Sequence, residues 1–235
     1  MKKTAIVTGG SRGIGLAVAQ SLLDEGYNVA ITGRDKERLD DAVNHLVAGP
    51  EVEVMGIISD VRSLSDEQHV VSEVLRRWER LDVMIANAGV GHFANIRDLT
   101  PDQWSQVIDI NLTGVYNSTK SSIEALIESK GYLITIASLA GTNFFPTGAA
   151  YNASKFGLVG FTQAVMLDVR QHGVKVSTIM PGSVSTYFNN RVPSEADAWK
   201  IQPEDIGQMV IDLLKMNPRT LPSKIEVRPS MPPKI

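Results

Sequence analysis

Short apolar runs alternate with longer helical patterns along the whole chain, and this alternation is the strongest constraint on how it can fold. Strand-like runs fall at Thr4–Thr8, Asn28–Thr32, Glu51–Ile58, Asp82–Ala86, Tyr132–Ala137, Lys175–Met180 and Lys224–Val227. Helical patterns lie between them at Ile14–Glu25, Lys36–Leu46, Ser65–Trp78, Pro101–Glu128, Ala149–Gln171 and Pro203–Lys215. Several strand runs are almost wholly apolar, as suits strands covered on both faces. The pattern predicts an α/β fold: one doubly wound parallel sheet of about seven strands with helices on both faces. The 235 residues suit a single large domain spanning the chain. Thr100-Pro101 reads as an N-cap followed by proline at the first helical position, and Pro203 opens its helix in the same way. Asn189–Lys200 carries the weakest pattern, and the tail Arg228–Ile235, with three prolines, is expected to be irregular.

Bulk properties exclude several functions. A net charge of −3 without a basic stripe argues against nucleic acid or an anionic membrane as partner. The absence of cysteine removes disulfides, thiolate metal sites and a cysteine nucleophile. His45, His69, His92 and His172 are scattered without metal-ligand spacing, so no metal site is expected, and His92 reads as a surface residue. No G-x-S-x-G elbow or Walker-type phosphate loop occurs. The apolar run after Met1-Lys2-Lys3 is too short for a secretory signal, and no segment approaches the roughly 20 apolar residues of a membrane helix. A cytoplasmic protein is expected.

The first strand runs into Thr8-Gly9-Gly10-Ser11-Arg12-Gly13-Ile14-Gly15, and a helix follows at once. Glycines there permit a tight turn and a close approach of pyrophosphate to free N–H groups at the helix start. Alone, such a turn is weak testimony. Its spacing, T-G-x-x-x-G-I-G, resembles that of the short-chain dehydrogenase/reductase family. The resemblance extends to Asn87-Ala88-Gly89, to Asn111 in N-x-x-G, to Ser138, to Tyr151 and Lys155 in Y-x-x-x-K, and to Pro181-Gly182-Ser183-Val184-Ser185-Thr186 as P-G-x-V-x-T. These motifs keep the family's order over residues 4–228. The resemblance implies a Rossmann-like domain and an oxidoreductase moving hydride between a nicotinamide cofactor and a carbonyl/alcohol pair.

It also distributes roles. Gly9, Ser11, Arg12, Gly13, Ile14 and Gly15 would cradle the cofactor's phosphates, Asp60 and Val61 its adenine, and Asn87, Ala88 and Gly89 the crevice wall. Pro181, Gly182, Val184 and Thr186 would hold the nicotinamide. An NAD site commonly carries an acid after the second strand. Gly33 takes that place here, and Arg34, with Arg12 as second partner, suits a 2′-phosphate and hence NADP(H). Asp35 complicates that reading. Tyr151 would be the acid/base, Ser138 would orient the substrate oxygen, and Asn111 would help hold a relay water through side chain or backbone. Tyr151 and Lys155 share a helix face, where an ammonium would lower a phenol pKa from its usual value of about 10. Taken singly, each has a plainer reading: a strand-end cap, a surface helix pair, an exposed helix residue.

Phe93, Phe144, Phe145 and Tyr187, with Phe188 beside them, suggest an apolar or aromatic pocket around Ser138. The short segment after Thr186 suggests an open pocket. The chain resembles compact microbial short-chain alcohol dehydrogenases and carbonyl reductases. Alternatives are a β-ketoacyl-[acyl carrier protein] reductase, or a non-catalytic NADP(H)-binding regulatory protein. Apolar residues surround most of helix Ala149–Gln171, and the resemblance implies homodimers or homotetramers joined through it and the preceding long helix.

Overall fold

The computed structural model describes residues 2–232. Its elements are β1 (Thr4–Val7), α1 (Gly13–Asp24), β2 (Asn28–Gly33), α2 (Lys36–His45), β3 (Val54–Ile58), α3 (Leu64–Trp78), β4 (Val83–Ala86), α4 (Pro101–Ile108), α5 (Gly114–Ser129), β5 (Tyr132–Ile136), α6 (Ala149–Val169), β6 (Lys175–Pro181), α7 (Pro203–Lys215) and β7 (Lys224–Val227). All the strands pair in parallel, in the spatial order β3-β2-β1-β4-β5-β6-β7. The chain therefore winds outward from β1 to β3, crosses back to β4 beside β1, and winds outward again. The reversal between β1 and β4 opens a crevice beyond the strand ends, where ligands bind in sheets of this kind.

Successive strand residues point to opposite faces, so each strand must satisfy two cores. Ala5, Val7, Val29, Ile31, Val83 and Ile85 pack with Leu22 and Val18 of α1, Leu39 of α2 and Val210 of α7. Ile6, Ala30, Met84, Leu133 and Val176 pack on the other face with Val70 and Val74 of α3 and Leu126 of α5. This double burial explains the unbroken apolar runs of the central strands. The edge strands β3 and β7 are covered less completely.

Two boundaries differ from the sequence pattern. Pairing of β3 with β2 begins at Val29↔Val54, because Glu51 and Val52 still belong to a turn closed by the Val52 N–H on the Gly49 carbonyl. The long helix expected over Pro101–Glu128 is broken: α4 ends at Ile108, a π turn spans Asp109–Thr113, and α5 starts at Gly114. A Cβ at Gly114 would sit 2.7 Å from Val61 Cγ2, so the restart is packed tightly against the loop after β3. The predicted starts at Thr100 and Pro203 are present. Thr100 and Gln103 form a reciprocal capping box, and Asp205 accepts from the Gln202 N–H at the head of α7.

Asn189–Lys200 holds only short 3-10 turns. Arg228–Pro232 is irregular as expected, and the remainder of that tail lies outside the described residues. Among the described residues no helix is long and apolar enough to cross a membrane.

The α5–β5 junction leaves no space for a side chain. A Cβ at Gly131 would lie 2.4 Å from the Asp82 carbonyl oxygen. Gly131→Ala is expected to destabilise the fold by about 1–3 kcal/mol through forced backbone movement, read as a lower denaturant midpoint at unchanged slope.

Candidate active site

The glycine turn owes its shape to contacts across the crevice. Gly9 and Gly13 adopt φ of +63° and +57°, where a side chain would be strained. Thr8 Oγ1 accepts from the N–H groups of Asn87 (3.0 Å) and Ala88 (3.1 Å). The Asn87 side-chain amide donates to the carbonyls of Thr8 (2.9 Å) and Gly9 (3.2 Å). Asn87 thus locks the turn to the end of β4. A Cβ at Gly15 would fall 2.4 Å from the Gly9 carbonyl and 2.6 Å from Asn87 Nδ2, so Gly15 serves packing beneath the turn. The start of α1 carries no side-chain cap and no acidic residue in its first turn. Its N–H groups and positive dipole end therefore face the crevice.

Arg12, Arg34, Arg38 and Arg62 line the part of this crevice beyond the glycine turn and the ends of β2 and β3. The sequence reading named Arg12 and Arg34 and missed the others. Asp35 is consumed locally. It caps α2 through the Arg38 N–H (3.0 Å) and pairs with the Arg38 side chain (3.2 Å). Asp60 is gripped by Arg62, whose Nε lies 3.0 Å from both carboxylate oxygens, while Arg34 stands 3.8 Å away. The hydrogen bonds from Arg62 hold the Asp60 carboxyl below its ordinary range, ahead of the opposing effect of burial. The loop before it is tied down by the buried Glu67, which accepts from Ser59 (2.7 Å) and Ser118 (2.5 Å). Desolvation raises the Glu67 pKa.

At the other end Tyr151 and Lys155 project from the first turns of α6, and Ser138 follows β5. Lys155 is 4% exposed and donates to the Ile136 carbonyl at 3.1 Å. Its Nζ stands 5.7 Å from the Tyr151 ring centroid. Burial lowers the Lys155 ammonium to about 8. Desolvation pushes the Tyr151 hydroxyl up to about 12, and a hydrogen bond with Ser138 pulls the other way. The lowering of the phenol expected from its lysine neighbour is therefore not found in the protein alone. The ammonium spends a bond on a carbonyl, and loss of water around the phenol outweighs it.

Asn111 is fully buried in the π turn. Its side chain accepts from the Val90 N–H (2.8 Å) and donates to the Val90 carbonyl (2.9 Å) and Ser154 Oγ (3.1 Å). Those bonds fasten the loop after β4 to α6. The side chain is thereby fully engaged.

All but three of the residues assigned from sequence line one cleft of about 1270 Å³. The exceptions are Gly15, Asn111 and Phe144. Phe144 is a correction: it is 86% exposed and points away from the cleft, while its neighbour Phe145 lines it. Gly148 and Asn152 draw the loop in at Phe145 and leave Phe144 on the outer side. Phe93, Tyr187 and Phe188 line the cleft, and His92 is a surface residue bonded to Gln106. Phe188 shares a tyrosine–phenylalanine pair with Tyr187 in the sequence, yet nothing local indicates which ring turns inward.

A parallel sheet with a glycine turn at its switch point, and a serine, tyrosine and lysine on the opposite crevice wall, defines an α/β oxidoreductase of the dinucleotide-binding kind. Residues 3–197 match the family described as short chain dehydrogenase, and the chain belongs to this family. It is 32% identical over 228 residues to an uncharacterized oxidoreductase of Staphylococcus aureus (strain MRSA252), covering 97% of each chain. Among solved structures it resembles an alcohol dehydrogenase from the archaeon Thermococcus sibiricus complexed with 5-hydroxy-NADP, with a TM-score of 0.92 at 27% identity, covering 100% of both chains. A metagenomic short-chain oxidoreductase in complex with NADP is 35% identical, with a TM-score of 0.84, covering 97% of this chain and 98% of the other.

The lysine's burial has a consequence for stability. With a folded pKa near 8 against an ordinary 10.5, the folded state binds fewer protons than the unfolded state between those values. Stability therefore rises as pH climbs from about 8 towards 10.5. The raised Tyr151 works oppositely, and only above pH 10, where the unfolded chain loses a proton that the folded chain keeps. Melting scans from pH 7.5 to 9.5 are expected to show the wild type gaining stability relative to Lys155→Met; parallel curves would refute the desolvated ammonium.

Proposed function

We propose that the protein is an NADP(H)-dependent oxidoreductase that interconverts a carbonyl and an alcohol, with Tyr151 as the acid/base. The observation that carries this reading is the convergence of Tyr151, Ser138 and Lys155 in the same cleft as an uncapped helix start and an arginine cluster.

The residues present fit the cofactor. Backbone N–H groups at the head of α1 suit a pyrophosphate, and a Cβ at Gly9 would come within 3.0 Å of Ala88 Cα, so any side chain there would crowd the cradle. Arg34 and Arg12, assisted by Arg38 and Arg62, suit a 2′-phosphate. Asp35, the one acid that could have favoured a bare ribose hydroxyl, is occupied as a cap. Asp60 stays ionised against Arg62 and retains lone pairs for an adenine amino group. Val61 supplies apolar surface beside it. Pro181, Gly182, Val184 and Thr186 would hold the carboxamide end. The NADP-type ligands of the two similar structures support the same choice.

When bound, the nicotinamide supplies or accepts the hydride. The chain's own work is proton handling and placement. In reduction Tyr151, protonated at neutral pH, donates to the carbonyl oxygen; in oxidation it takes the alcohol proton. Ser138 bonds the same oxygen and sets its distance from Tyr151. Lys155 would stabilise the phenolate left after donation, and the proton would be returned through Lys155 from a water held at Asn111. Retention of Ser138, Tyr151 and Lys155 together weighs against a purely regulatory binder, and a panel that includes a β-ketoacyl thioester separates an acyl-carrier substrate from a free small molecule. Exposed Tyr116 on α5 and Phe156 and Leu167 on α6 leave an apolar face, which supports assembly as a homodimer or homotetramer through these helices.

Tyr151→Phe is expected to lower kcat at least about 100-fold, the scale of general acid catalysis, while NADPH binding followed by fluorescence changes little; substantial residual turnover would refute the role. Arg34→Ala is expected to weaken NADPH about 10- to 100-fold, as loss of a charged hydrogen bond does, with little effect on NADH. Unchanged selectivity would overturn the 2′-phosphate reading.

A further inference from the structure

We infer that the cleft selects aryl carbonyl compounds and the matching benzylic alcohols, and that Phe188 is the residue that selects them. This rests on the carbonyl/alcohol reading of Tyr151 given above.

The walls around the Tyr151 ring are aromatic. Phe93 meets it edge-on, with ring centroids 5.4 Å apart at 65°. Phe188 meets it from another side at 5.7 Å and 55°. Phe93 also contacts Phe188 (6.4 Å) and Phe145 (5.9 Å), so the rings form one array. All these separations fall in the range where edge-to-face and offset geometries are favourable.

The backbone is shaped to admit these rings. A Cβ at Gly91 would lie 2.7 Å from Phe188 Cζ and 3.0 Å from a Phe93 ring carbon. A Cβ at Gly148 would lie 2.7 Å from the Phe145 ring. Thr147, a β-branched residue, sits at φ +67° between Phe145 and α6, and Asn189 and Asn190 sit at +57° and +59° directly after Phe188. Left-handed backbone is uncommon at non-glycine positions. Two glycines and three such residues flank these phenylalanines.

The walls are not equally fixed. The loops carrying Phe93 and Phe145 are tied together by the Ala94 N–H on the Thr147 carbonyl (3.0 Å). Asn152 braces the second loop by donating to the carbonyls of Ala140 and Asn143, both at 2.8 Å. Phe188 stands on a 3-10 turn, held locally by its N–H on Thr186 Oγ1 at 3.3 Å. It is the wall whose backbone bonds are all local. A flat aryl group presents a ring edge or face to each of these phenylalanines, whereas a saturated body of equal size gains burial alone.

The test compares acetophenone with cyclohexyl methyl ketone, which share a carbon skeleton and differ in aromaticity. The readout is the ratio of their kcat/KM values with NADPH, in the wild type and in Phe188→Leu. The substitution is expected to lower the aryl-to-cyclohexyl ratio about three- to tenfold, the scale of one ring–ring attraction, at unchanged NADPH affinity. Gly91→Ala, which forces the Phe188 ring aside, should shift the ratio in the same direction. If Phe188→Leu does not fold, Phe93→Leu on the braced loop reads the same ratio. A ratio unchanged within twofold in the folded variants overturns the inference while leaving the carbonyl reading intact. Failure of the wild type to turn over either ketone, a β-ketoacyl thioester or any other carbonyl would instead sink the reading beneath it.

Discussion

Everything in the cleft depends on the clamp between Thr8 and Asn87. Two ends of central strands meet there at the point where the sheet reverses direction. Main-chain and side-chain groups of Asn87 bond to Thr8 and Gly9 from both sides. A buried polar group left unpaired costs about 1–3 kcal/mol, so this cluster holds together or fails together. Gly9 and Gly15 clear the space for it. With the turn locked, the uncapped start of α1 is held at the crevice with its free N–H groups.

The catalytic wall hangs from the same crevice by a second set of bonds. Asn111 reaches the loop after β4 on one side and Ser154 on α6 on the other. Asn111 does so from within the π turn at Asp109–Thr113. Lys155 on the same helix is satisfied by the Ile136 carbonyl at the end of β5. Ser138 lies two residues beyond that carbonyl. Ser138, Tyr151 and Lys155 are thus positioned by a strand end and one helix, whereas Phe93, Phe145 and Phe188 sit on loops.

The charged groups divide along the same line. At the adenosine end, carboxylates are consumed by neighbours: Asp35 caps α2, Asp60 binds Arg62, and Glu67 is buried between two serines. Four guanidinium groups stand here against the two carboxylates of Asp35 and Asp60, so this end of the cleft keeps an excess of positive charge. At the reactive end, desolvation keeps Tyr151 protonated and the Lys155 amine less basic than usual. A single cleft thus carries guanidinium groups at one end and a protonated phenol at the other.

The order of strands and helices, the parallel sheet, the glycine turn and the Ser138, Tyr151 and Lys155 cluster were all legible along the chain. The order of elements and the sheet rest on periodicity, and the glycine turn on positions where φ is positive, whereas the Ser138, Tyr151 and Lys155 set was read from the chain's resemblance to the short-chain dehydrogenase/reductase family. Other features were decided only by residues far apart in sequence. The break at Asp109–Thr113 comes from contacts of Asn111 with Val90 and Ser154, and of Gly114 with Val61. That Arg38 and Arg62 join Arg34 depends on where α2 and the loop after β3 come to rest. Which phenylalanines face Tyr151 depends on the space left by Gly91 and Gly148, so Phe145 and Phe188 turn inward while Phe144 stays in solvent. Sequence by itself marked the family, and with it an oxidoreductase, because the family's motifs are short stretches of neighbouring residues. Tertiary structure alone decided the walls of the pocket, because a loop side chain takes its direction from whatever distant surface has room for it.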